Sequence, residues 1–235
     1  MKKKIVVVLF SLISVMFFAQ ALPVNTEILS RKAVLKLFTD TSNKQFNFTY
    51  PIKKVYKSAS RYQTLYFVLT ESNDSIVTND TFNSKIKAFI FEEQKNKLSF
   101  VWSINDFIIK RESGLLENSI WFWTKYCEFT DIDGDRLIDP IFIYGASGNY
   151  DIEDARIKFV IYHKKQKVVI QHQNSPVDYG RNTKVDAVFY TLPLKIQNRV
   201  QLIMKQMEEK KHAIFPPTWQ EEMKKKKLYF EEHHE

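Results

Sequence analysis

The sequence predicts a mainly β (α+β) protein, an antiparallel meander of about eight strands with one C-terminal amphipathic helix packed on it. Three observations predict it. Aromatic residues make up 14% of the 235-residue chain, with 19 Phe and 11 Tyr, and such side chains suit the pleated, half-buried surface of a strand. Short runs rich in Phe, Tyr, Val, Ile and Thr alternate with clusters of Asn, Ser, Asp and Lys, which is how strands and their turns read in a sequence. From Leu192 the apolar spacing becomes helical.

The first element, residues 1–21, has the three parts of an export signal. Lys2, Lys3 and Lys4 precede an apolar run from Ile5 to Phe18, and Ala19-Gln20-Ala21 offers a small-x-small cleavage site. The run is shorter than the roughly 20 apolar residues a spanning helix needs and is broken by Ser11 and Ser14, so no transmembrane segment is expected in the mature chain. Residues 22–219 read as a single β-rich domain ending in its helix, and residues 220–235 as a charged, flexible tail. An exported chain is placed in the periplasm, on the cell surface or outside the cell.

Asn25 to Phe38 places Ile28, Leu29, Ala33, Val34, Leu37 and Phe38 near helical spacing. The strand runs then follow as Phe46 to Tyr56, Tyr62 to Thr70, Lys85 to Glu92, Lys97 to Ile104, Ile120 to Phe129, Ile138 to Tyr144, Arg156 to His163 and Lys167 to Gln173. Lys85 and Lys87 alternating with Ile86 and Ala88 mark a half-buried strand. Past Pro193, which suits a first helical position, Ile196, Val200, Ile203, Met204 and Met207 form one apolar stripe. Pro216-Pro217 stops what precedes it, and Lys224 to Lys227 sit between glutamate pairs in the tail.

Composition narrows the function classes. The single cysteine, Cys127, forbids an internal disulfide in a setting that permits one, so stability rests on the apolar core. The formal charge of +8 falls to +5 without the signal, a balance that favours association with anionic envelope components and says nothing of activity. Nucleic acid is not an expected partner, because no basic region joins a reading motif and export puts the chain in the wrong compartment.

One stretch carries chemistry. In TDIDGDRLIDPIFIYG, Thr130 to Gly145, the carboxylates of Asp131, Asp133, Asp135 and Asp139 stand at relative positions 1, 3, 5 and 9, with the Leu137 carbonyl at 7. Oxygen donors at every second residue of a turning loop suit a hard cation, and calcium prefers that donor set. The twelve-residue helix-loop-helix pattern fails, since Arg136 stands where Gly belongs and Phe142 where Glu belongs. The nine-residue form resembles D-x-D-G-D-x-x-x-D loops between propeller strands of integrin-like and bacterial surface proteins, with Gly134 matching its glycine and Arg136 departing from it. A solvated acidic turn between two strands is the plain alternative. In both cases the loop is structural and not catalytic.

Other candidates are weaker. Tyr144 to Asp154, with Gly145, Gly148, Tyr150, Asp151, Glu153 and Asp154, reads as a hairpin connection, as half of a cation site or as a sugar-contacting loop. His172 has no nucleophile motif and no metal-spaced partner, the pattern of a hydrogen-bonded structural histidine.

The segments WFWTKY (121–126), DIDGDRLIDPIFIYG (131–145), KFVIYHKK (158–165), HQN (172–174), FYTLP (189–193), IMKQME (203–208) and AIFPPTW (213–219) together resemble a family of small exported flavobacterial proteins labelled as surface polysaccharide biosynthesis proteins. The resemblance implies a role in building or displaying lipopolysaccharide or another surface glycan, and it brings no catalytic residues. The expectation is an accessory or binding protein of the cell envelope rather than an enzyme, with an envelope glycan or envelope protein as partner and a structural calcium. Two alternatives stand beside it: a periplasmic lysozyme inhibitor, and a glycan-acting hydrolase pairing Asp151 with Asp154 or Glu153.

Overall fold

A computed structural model describes residues 24–39, 46, 48–77, 80–109, 117–148 and 151–232, the side chains at 151–153 and 155 excepted. The export-type segment 1–21 lies outside the described residues. The chain is mainly β, in antiparallel sheets. In order come β1 (Asn25–Ile28), α1 (Arg31–Leu37), β2 (Ile52–Ala59), β3 (Thr64–Glu71), β4 (Ser75–Val77), β5 (Asp80–Phe82), β6 (Lys85–Gln94) and β7 (Lys97–Phe107). They are followed by β8 (Ser119–Phe122), β9 (Glu128–Thr130), β10 (Asp139–Gly148), β11 (Asp151–His163), β12 (Gln166–Gln173) and β13 (Asn182–Val185). The chain ends with α2 (Leu194–Glu209), α3 (Trp219–Lys224) and β14 (Tyr229–Glu231).

The predicted strands divide between two sheets. One runs β1-β2-β3-β6-β7; the other runs β14-β13-β12-β11-β10-β8, with β9 also paired to β10. Between them lies a core in which Phe67 stacks on Phe129 at 4.3 Å and Phe142 packs edge-on to both. A second core fills the outer face of the larger sheet. There Ile196, Val200, Ile203, Met204 and Met207 of α2, all at most 1% exposed, meet Ile157, Phe159 and Ile170, so the predicted stripe is the packed face of the helix. A third core, on the outer face of the smaller sheet, gathers Phe38 and Phe48 against Phe89 and Phe91.

Several boundaries differ from the sequence expectation, each for a packing reason. The run Phe46 to Tyr56 is a strand only from Ile52, after Pro51. Phe46 and Phe48 instead lie on the outside of the smaller sheet, with Phe46 4.5 Å from Phe91. Ile120 to Phe129 is interrupted: Ile120 and Phe122 face the inter-sheet core, and strict alternation would turn Phe129 to the opposite face. A turn at Thr124–Tyr126 resets the phase and directs Trp123 and Tyr126 into the helix-side core. Asn25 to Phe38 begins as β1, and its helix starts only after Ser30, whose hydroxyl accepts from Ala33 N at 3.3 Å.

The segment read as a flexible tail is folded onto the domain through residue 232. Trp219 and Met223 of α3 join the helix-side core, and β14 extends the larger sheet with Phe230 only 4% exposed. The charge pattern hid this, because one buried aromatic per edge strand leaves little apolar signal.

Buried charge fastens the two sheets together. Arg156 of β11, 2% exposed, donates to Glu117 at 2.8 Å, to Asp106 of β7 at 3.1 Å and to Phe107 O at 3.0 Å, while Lys158 reaches Asp106 at 2.7 Å. Every donor of a guanidinium removed from water needs such a partner, or its burial would cost several kcal/mol.

Candidate functional site

The aspartate loop joins β9 to β10, which pair antiparallel with Asp139 opposite Thr130. The loop winds on its own carboxylates. Asp131 accepts from Gly134 N at 2.7 Å and Arg136 N at 2.9 Å, Asp133 from Asp135 N at 2.9 Å, and Asp135 from Leu137 N at 2.9 Å. These short-range bonds are what Asp offers a turn. Two residues take the left-handed region, Gly134 at φ 92° and Arg136 at φ 73°, the latter at a steric cost of roughly 1–2 kcal/mol for a side chain. The Arg136 guanidinium is turned to the Tyr62 hydroxyl, 3.0 Å away.

All four predicted carboxylates come together in two overlapping groups. Asp131, Asp133 and Asp135 each place an oxygen within 4.8 Å of the others, and Asp133, Asp139 and His163 do the same. Oxygens held at 2.3–2.6 Å from calcium stand at most about 5 Å apart across the ion, so the first group is close enough to share one. Its donors are all oxygen, the set a hard cation takes. Leu137 lies in the loop with its side chain 37% exposed.

Basic side chains from distant elements also converge here. His163 Nδ1 lies 2.8 Å from Asp139 Oδ1, Lys164 pairs with Asp135 at 3.0 Å, and Lys195 of α2 donates to Asp133 O at 2.7 Å. Burial pushes the Asp139 carboxyl above its ordinary value, with the bonds from His163 and Ile132 N pulling it back and Asp133 adding repulsion. Burial acts the same way on Asp135, but Leu137 N and Lys164 outweigh it and hold that carboxyl below its usual range. The loop is thus a junction of one end of the larger sheet, where β10 begins and β11 ends, with the helix that covers the sheet. The sequence does not reveal this basic set: His163 ends a strand run, Lys164 opens the polar connection that follows it, and nothing local marks Lys195 as a neighbour.

The remaining candidates resolve unequally. His172 is fully buried between Thr183 Oγ1 at 2.9 Å and Asn174 Oδ1 at 2.8 Å, its ring 4.4 Å from Phe215. Burial pushes its pKa down to about 4, so it is a neutral structural group. Asp151 and Glu153 lie on β11 but their side chains are outside the described set, as is Tyr150. Asp154 packs against Gly148, where a Cβ would stand 2.1 Å from Asp154 Oδ1. Cys127 is tucked against Ile143, and burial pushes its thiol up to about 12, well away from nucleophilic use.

Among the described residues, no helix is long and apolar enough to cross a membrane. No protein-family model matches the chain, and neither does any curated protein or solved structure.

Proposed function

We propose that the protein is an exported cell-envelope binding protein, accessory to the assembly of surface polysaccharide or lipopolysaccharide, and that its sandwich is stabilised by one structural calcium. The observation that carries the calcium is the convergence of the Asp131, Asp133 and Asp135 oxygens within 4.8 Å of one another. Asp139 and the Leu137 carbonyl, at positions 9 and 7 of the loop, would complete an oxygen donor set, and the ion would supply charge neutralisation to carboxylates that otherwise repel. The export-type N-terminus and the family resemblance support the envelope role. The buried, neutral His172 supports a non-catalytic role.

Cell fractionation and a surface-polysaccharide profile of cells lacking the gene test this reading. The expected result is protein in the periplasmic or surface fraction and a shortened or depleted polysaccharide ladder. Cytoplasmic protein with an unchanged ladder would overturn it. A lysozyme inhibition assay on the purified protein separates the alternative, since an accessory of glycan assembly leaves the lysozyme rate unchanged.

A further inference from the structure

The larger sheet has a face that the smaller sheet leaves open. Along β12, Val168, Ile170 and His172 are buried on the helix side, whereas Val169, Gln171 and Gln173 on the other side are half-buried. The register sets Lys158, Gln171, Lys184 and Tyr229 side by side across four strands, and Arg156, Gln173, Asn182 and Glu231 in the next row. A cleft of about 760 Å³ opens over this face, walled by Gln171, Gln173, Asn182 and Lys184 and by the loop carrying Tyr179. That size falls within the range of small-ligand sites, about 300–1,000 Å³.

The wall is built and held. Arg181 donates to Ser175 O at 2.9 Å and Pro176 O at 3.3 Å, and pairs with Asp178 at 2.8 Å and Glu232 at 2.9 Å, so one guanidinium gathers the whole loop. Gly180 fits against Ser175, where a Cβ would stand 2.3 Å from the hydroxyl oxygen. On this braced turn Tyr179 is 75% exposed, a large ring held out of the core. Gln171 and Lys184 make no side-chain hydrogen bond or ion pair among the described residues, although Gln171 is half-buried. Glu117, at the rim, is occupied by Arg156 and by Ile109 N at 2.7 Å, so it is not a free acid for hydrolysis.

We propose that this cleft is a carbohydrate-binding site, in which Tyr179 stacks on the C–H face of a sugar and Gln171, Asn182 and Lys184 hydrogen-bond its hydroxyls. The Gln171 amide offers both donors and an acceptor, and the Asn182 amide, which donates to Gly180 O at 3.3 Å, keeps its second N–H and its carbonyl oxygen, the pairing vicinal hydroxyls require. An aromatic ring supplies apolar area with a polar tip at low entropic cost. A prebuilt loop reduces the ordering cost of binding. The assignment rests on the envelope-glycan reading above and gives it a location.

Calorimetric titration of the purified protein with defined oligosaccharides of neutral hexoses, N-acetylhexosamines and uronic acids tests it. Tyr179→Ala and Gln171→Ala remove the contacts, and Leu194→Ala, a residue 72% exposed on the helix side, is the control. At least one oligosaccharide is expected to bind, with affinity lowered about tenfold by Tyr179→Ala and unchanged by Leu194→Ala. Parent-like affinity in both cleft variants would overturn the site while leaving the glycan reading intact. No binding to the parent protein would overturn the site and the glycan part of the proposed function together, without touching the calcium.

Discussion

Lowering the pH from 7.5 to 5 should weaken the fold through His172 by an amount the structure sets. Its imidazole is fully buried and hydrogen-bonded at both nitrogens, and burial lowers its pKa from 6.5 to about 4. The unfolded chain therefore binds a proton at His172 between those values and the folded chain does not, so stability rises with pH across that window. It is fully present above pH 6.5, declines as pH falls, and the loss is complete near pH 4. The linkage relation gives a loss of about 2 kcal/mol by pH 5 and about 3 kcal/mol by pH 4. Urea unfolding at pH 7.5, 6 and 5, for the parent and for His172→Gln, isolates this group from the other titrating residues. The variant is less stable at pH 7.5 but should lose about 2 kcal/mol less than the parent on going to pH 5. Parallel pH profiles would refute the assignment of His172 as a buried neutral group.

Two further predictions rest on burial. Arg156→Leu takes the guanidinium from Glu117 and leaves Asp106 with Lys158 alone, and should cost about 3–5 kcal/mol in urea unfolding at neutral pH, whereas a loss under 1 kcal/mol would mean the network is solvated. Cys127, half-buried and with its thiol pushed up to about 12, should react with Ellman's reagent far more slowly than a free thiol and jump to the free-thiol rate in urea. Labelling of the native protein at the free-thiol rate would contradict the raised pKa.

What the sequence made legible was mostly what is local. Alternation and aromatic runs located the strands, and the stripe from Ile196 to Met207 located the packed face of α2. The aspartate spacing brought Asp131, Asp133 and Asp135 to one place, as found. Partition of the strands into two sheets was not legible, because it depends on which distant strands pair. The turn after Phe122 was hidden for the same reason: Trp123 and Phe129 both look like strand residues until two cores compete for them. Lys195 reaches the loop from a helix 62 residues away in sequence, and β14 hides in a lysine-rich tail because only Phe230 turns inward.

The most direct test of the central claim is thermal unfolding with excess calcium and with chelator, for the parent and for the Asp133→Ala, Asp135→Ala variant. An ion bound only by the folded state, at 100 times its dissociation constant, adds about 2.7 kcal/mol. For a domain of this size that raises the midpoint by roughly 5–10 °C. The account predicts that rise in the parent and none in the variant. An unchanged parent midpoint, or an equal rise in both proteins, would contradict a calcium held by the aspartate loop.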